Sequence, residues 1–314
     1  MLQLIARRLA LLPVTLLGLA LFAFLVINLA PGDPVTMELR RMGVEYSAAS
    51  IDELRREHGL DRPLPVRFVA WTGRALALDF GRSFTSGRAV SQEIVRALGR
   101  TLCLALAAFV LGLAVALALG LAAALGGRLA DAAGRGAAIL LSALPSYWLA
   151  LLLLYVFSLR LGWTKVIGDG RPDDVVLPAL TLALLLGATQ ARVVQERVLQ
   201  VMAEPHIRFA LIKGMPRGLI VRRHVLKNAL LPLINLGGTA FGYLLGGSVV
   251  VETIFGWPGL GNLVIKAIGD RDFPMLQAYL VLVGVTYLMV SFAADILAIL
   301  LDARLRRGLE RRDA

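Results

Sequence analysis

The chain has 314 residues, 58% of them hydrophobic, one cysteine and a formal charge of +11, with a mean hydropathy of +0.74. A soluble domain would be nearer half apolar and would lack long uncharged runs, so the composition describes an all-α integral membrane protein, read as a single transmembrane domain over 1–314. A lone Cys103 excludes an internal disulfide and a cysteine metal cluster, and its place in an apolar run reads as a packed membrane thiol.

Six spans are expected, at about 9–30, 101–125, 136–159, 175–195, 229–251 and 273–301, each long enough to cross about 30 Å of hydrocarbon. Arg7 and Arg8 precede the first, which is too long for a signal-peptide core and is followed by no clean cleavage site. Residues 31–100 form an external segment that opens with Pro31-Gly32-Asp33-Pro34, a helix-breaking run. Within it Ser50 to Gly59 reads as a short helix with Ser50 as N-cap and Gly59 at its end.

The second span repeats small residues at Gly112, Ala116, Gly120 and Ala124, a spacing that lets helices approach closely. Arg128 and Arg135 bound a short loop, and Pro145 is expected to kink the third span. The fourth continues as a helix through Arg192, Glu196 and Arg197. The fifth carries Gly238, Gly242 and Gly246, a double G-x-x-x-G read as the strongest packing signal in the chain. Glu252 to Pro274 is read as external and dipping into the interface, where Trp257 would sit. Asp295 is the one ionisable residue well inside a span; an interhelical or helix-end bond is preferred to substrate contact.

Charge settles the orientation. The N-terminus, the loops at 126–136 and 192–229 and the C-terminal tail hold 17 Lys/Arg against 6 Asp/Glu; the opposite loops hold 16 against 15. The excess lies on one side, the pattern of cytoplasmic loops rather than of nucleic-acid binding. Both termini and the loop 196–228 are therefore expected in the cytoplasm.

That loop reads as a short helix starting at Pro205, a turn from Gly214 to Gly218 and a basic helix leading into the next span. Ile207, Ala210 and Leu211 share a face that suits a groove on a soluble partner, with Arg208 and Lys213 off that face. A solvated basic loop is the plainer alternative.

At these residues the chain resembles the permeases of ATP-driven (ABC) importers, and within them the peptide/nickel/opine family. Ala210 and Gly214 match the coupling turn, and Arg223, His224, Leu226, Asn228, Ala229 and Pro232 the segment after it. Arg208 and Phe209 depart from the general motif, which has Glu and Ala there. Glu252, Thr253, Ile254, Phe255, Trp257, Pro258, Gly259, Leu260 and Gly261, followed by Arg271, Asp272 and Pro274, match the family's external wording; so do PGDP and Leu78-Asp79-Phe80-Gly81 with Ser83-Phe84.

The resemblance implies a type I importer permease fold. It also implies two permeases, commonly a related but different pair, two ATPase subunits binding ATP and magnesium, and an external substrate-binding protein. The loop 204–218, with Glu204, Arg208, Ala210, Lys213, Gly214 and Gly218, would couple ATP to the spans. No cofactor or metal is expected on this chain: no G-x-x-x-x-G-K-[ST] occurs, and its three histidines, His58, His206 and His224, are scattered. Cargo is expected to be a small peptide or a nickel or metal chelate, with a lean toward nickel from the short loop at 161–174 and the run before it. An ion-driven secondary transporter is the rival class, for which Asp295 is the only support.

Overall fold

The computed structural model describes residues 2–29, 53, 56, 61–168, 170–235 and 237–301. Among them helices are the only regular elements, apart from an isolated antiparallel bridge between Arg82 and Ala89. In chain order they are α1 (Leu2–Leu29), α2 (Leu64–Leu76), α3 (Val90–Leu125), α4 (Gly127–Ala143) and α5 (Ser146–Leu153), which runs on as a π-helical stretch, Leu154–Arg160. A 3-10 turn (Pro172–Val175) leads into α6 (Val176–Met202), followed by α7 (Pro205–Ile212) and α8 (Arg217–Ile220). After a π-helical stretch, Val221–Val225, come α9 (Leu226–Asn235), α10 (Gly237–Phe255), α11 (Leu260–Asp270) and α12 (Phe273–Leu301).

Among the described residues four helical stretches are long and apolar enough to cross a membrane: Leu12–Leu29, Val90–Leu125, Pro172–Met202 and Phe273–Ala293. Two bent pairs, Gly127–Ala143 with Ser146–Arg160 and Ser248–Phe255 with Leu260–Asp270, bring the number to six if each counts as one span. The first pair turns through 105°, far beyond the kink expected at Pro145. Leu144 is extended (ψ 131), as a residue before proline prefers, and Pro145 caps the next helix with no N–H to offer. The expected loop at 126–136 is correspondingly absent. Gly127, at φ +81, makes the whole turn, and Arg128, Asp131 and Arg135 lie within α4. Asp131 accepts two bonds from Arg135, at 2.6 and 2.7 Å, and one from Gln195 of α6 at 2.6 Å.

The chain falls into two compact units. Among the described residues one holds 99–262 and 289–301, the other 2–98 and 263–288. In the first, α6 is the enclosed helix, with Ala179, Thr181, Ala183, Val194, Val198 and Val201 fully buried. Small residues admit α3 beside it. A Cβ on Gly120 would stand 2.6 Å from Val194, and one on Gly187 2.5 Å from Val115, distances real side chains do not reach. The spacing read from Gly112, Ala116 and Gly120 is thus realised as α3–α6 packing. Gly246 differs: nothing lies within 4 Å of its Cβ position, so the face read as the strongest packing signal is open there. Gly238 and Gly242 lie on the same helix, α10. Cys103 is exposed rather than packed, because it lies off the face that Thr101, Leu104, Ala105 and Ala108 bury.

In the second unit α1 receives α2. Phe24 meets Phe68 and Trp71 with ring centroids 5.4 and 5.8 Å away, and Arg67 donates to Asn28. A turn follows, with Leu78 at φ +58 and Gly81 at φ +79, and then a tight hairpin closed by Ser83 N–H on Arg88 and Val90 N–H on Gly81. The second span was expected from 101; its helix begins at Val90, eleven residues earlier. Val90 and Ile94 are fully buried in this unit, so the helix is already needed there.

The PGDP run and the C-terminal tail from 302 lie outside the described residues, as does the Ser50–Gly59 helix except for Glu53 and Arg56, which are helical. Asp295 lies on α12; its side chain is also outside them.

Candidate coupling and external sites

α6 ends at Met202, and Glu204, extended (φ −67, ψ 144), starts α7 with Pro205 at its first position, where a missing N–H costs nothing. Glu204 does not cap the helix with its side chain; its Oε2 lies 3.2 Å from His206 Nδ1. The His206 and His224 rings stand 5.9 Å apart. Ile207 is fully buried with Val194, Val198 and Val201 of α6 and with Ile220 and Val225 beyond the turn, and Ala210 and Met215 pack against the same cluster. α7 is therefore fastened to the end of α6 through its inner face.

This corrects the docking face drawn from spacing. Of Ile207, Ala210 and Leu211, the first two turn inward and only Leu211 is exposed. The outward face carries Arg208, Phe209, Ile212 and Lys213, with Phe209 58% and Ile212 83% exposed. Lys213 Nζ sits 4.6 Å over the Phe209 ring, a cation–π contact at the surface.

Gly214 has φ +77, and nothing lies within 4 Å of its Cβ position; the demand for glycine is conformational, not steric. Its N–H donates to Leu211 and that of Met215 to Ala210, which closes the helix end. The turn is shorter than expected. Helix resumes at Arg217, so Gly218 lies inside α8 rather than in the turn.

The second site gathers the external wording. α10 continues to Phe255, so Glu252 is a helical residue, wholly buried, and not part of an external loop. Its Oε1 accepts the Thr101 hydroxyl at 2.7 Å; its Oε2 accepts the N–H of Gly261 at 2.6 Å and of Asn262 at 3.3 Å. Thr101 Oγ1 in turn accepts the Leu260 N–H at 2.7 Å. Trp257 donates from its indole to the Arg100 carbonyl at 3.1 Å, and Asn262 donates to the Trp257 carbonyl at the same distance.

The glycines follow from this crowding. A Cβ on Gly259 would lie 2.5 Å from Thr101 Oγ1 and 2.6 Å from the Glu252 carboxyl, and one on Gly261 would lie 2.4 Å from the Val249 backbone. Pro258 packs on Gly170. One carboxylate thus closes the break between α10 and α11 and ties it to α3 at Thr101, about three turns into that helix. Thr101 and Asn262 belong to this site and escaped the sequence reading. The only signal for Thr101 is a hydroxyl at the start of an uncharged run.

Four apolar crossings among the described residues, six if each bent pair is one span, and a short polar elbow hung on the end of the buried helix α6 describe a membrane transport component. Residues 112–307 match the family described as "Binding-protein-dependent transport system inner membrane component", and residues 1–105 match its N-terminal companion. The chain belongs to this family of ABC importer permeases, inner-membrane subunits of systems whose ATP hydrolysis resides on other subunits.

Among its relatives is the glutathione transport system permease protein GsiC of Pectobacterium atrosepticum, 34% identical over 306 residues, covering 96% of this chain and 98% of that one. GsiC of Salmonella choleraesuis is 35% identical over 310 residues, covering 98% and 99%. That of Escherichia coli strain K12 is 34% identical over 306 residues, covering 96% and 98%. The fold also resembles the inward-facing MetNI methionine ABC transporter, with a TM-score of 0.56 at 20% identity over 67% of this chain and 97% of that one. Family membership leaves no room for the secondary-transporter alternative. The expected lean toward nickel gains no support from these relatives.

Proposed function

We propose that this permease passes a small peptide of the glutathione type. The observation that carries the reading is full-length similarity, at 34–35% identity, to permeases of glutathione transport systems. The absence of histidine from the expected spans, and the scarcity of carboxylates there, agree with a cargo that needs no stripping of a hydrated cation.

In this reading both termini and the 196–228 loop face the cytoplasm, consistent with the one-sided excess of Lys and Arg. A second, related permease completes the pathway, two ATPase subunits bind ATP and magnesium, and an external binding protein selects the cargo. The α7 elbow carries the motion. Phe209 and Ile212, flanked by Arg208 and Lys213, dock into the ATPase, and the buried Ile207 side transmits the displacement to α6. ATP and loaded binding protein supply the differential affinity that alternating access requires.

The test is ATP hydrolysis by the reconstituted complex, its binding protein loaded in turn with glutathione, short peptides, nickel or a nickel chelate. Stimulation by glutathione or peptides is expected. Stimulation by the metal forms alone overturns the peptide reading and leaves the coupling argument intact.

A further inference from the structure

Helix α2 presents two apolar faces, and only one has a partner among the described residues. Its inner face, Phe68 and Trp71, is covered by Phe24 of α1. At 100° per residue, Val66, Val69, Ala70, Gly73, Leu76 and Ala77 fall within about 120° of one another on the opposite side. All six are exposed, Val69 to 70% and Leu76 to 83%. Arg67 and Arg74 run along one border of this stripe, and Leu64–Leu76 contains no acidic residue.

We propose that α2 is an interfacial helix, its outer stripe seated in the acyl–headgroup boundary of the bilayer with Arg67 and Arg74 at the level of the lipid phosphates. Three observations favour lipid over a protein partner. First, α2 is clasped by Phe24 and Asn28, in the last turns of a span that runs from Leu12 to Leu29, so it sits where that span leaves the hydrocarbon. Second, the stripe is made of small aliphatic residues and lacks the aromatic or arginine anchor that centres a protein interface. Third, a basic, acid-free helix with one aliphatic face is the composition of helices that lie in the plane of anionic membranes.

The experiment uses the intact complex in phosphatidylethanolamine–phosphatidylglycerol vesicles, with a benzophenone amino acid placed at Val69, at Leu76 or, as a control, at Ser86 in the hairpin. Lipid adducts several-fold more abundant at Val69 and Leu76 than at Ser86 are expected by mass spectrometry. Adducts to another protein chain at those positions overturn the proposal in favour of a subunit interface. An absence of adducts above the control overturns it in favour of a solvated face. A nitroxide on Val69→Cys in a Cys103→Ala background reads the same position without crosslinking. Greater accessibility to oxygen than to a water-soluble nickel chelate is expected, and the reverse order overturns the proposal.

Discussion

Ser83 donates its hydroxyl to the buried Asp272 carboxylate, a partner 189 residues further along the chain. The same carboxylate accepts the N–H of Thr85 at 3.3 Å and, through its other oxygen, the N–H of Met275, where it caps α12. Two stretches of family wording, LDFGRSF and RDFP, are thereby fastened together. Both lie in the unit that holds 2–98 and 263–288.

A buried carboxylate stripped of donors costs about 1–3 kcal/mol. Ser83→Ala is therefore expected to lower the melting temperature of the purified permease in detergent, and Asp272→Ala to lower it further, since it also removes the cap and strands the Ser83 hydroxyl. The double variant should fall short of the sum of the two, because the shared bond is lost only once. Strict additivity would show that the bond contributes nothing.

Four of the apolar crossings were legible because runs of some twenty uncharged residues have few other solutions. The places where they break were not. Pro145 announced a kink, but its size is set by Leu144 adopting the extended form, and the tight turn at Gly127 that joins α3 to α4 is a separate break; periodicity reveals neither. The turn at the end of α7 was legible from Gly214. Which side of α7 faces inward was not, because Ile207 is buried by Ile220 and Val225, residues that return only after the turn. α2 escaped notice for a related reason: its apolar residues lie on two faces, one answered by Phe24 of α1. The external motif was read as words; that Glu252 gathers them around Thr101 is a matter of three dimensions.

Thr101 both donates to Glu252 and accepts from Leu260. Thr101→Val keeps the shape and removes both bonds, leaving a buried carboxylate oxygen and a buried N–H short of partners, again a cost of about 1–3 kcal/mol. Thr101→Ser retains both bonds and should restore most of the loss. Thermal unfolding in detergent measures the difference, and a valine variant as stable as the serine variant would remove Thr101 from the clasp.

Two glycines of similar sequence context should behave oppositely. Gly120→Ala places a Cβ 2.6 Å from Val194 and 2.8 Å from the Ala191 carbonyl, in a contact between helices that cannot open by a rotamer change. Overpacking of this kind costs about 1–3 kcal/mol. Gly246→Ala meets nothing and should leave the isolated chain as stable or slightly more so, since alanine favours helix. Comparison of melting temperatures of the two purified variants decides it; equal losses would refute the close packing of α3 on α6 at Gly120.

Gly214 separates conformation from contact. Its φ of +77 costs an ordinary residue about 1–2 kcal/mol, and asparagine less, while the space around it is open. Gly214→Asn should therefore transport nearly normally, and Gly214→Leu should assemble but hydrolyse ATP without moving cargo, because the end of α7 can no longer close in place. Phe209→Ala with Ile212→Ala tests the outward face of the same helix. Both side chains are exposed, so the variant should keep its melting temperature while losing much of its association with the ATPase subunits, as measured by co-purification. Unchanged co-purification together with full transport would move the docking surface elsewhere on the loop.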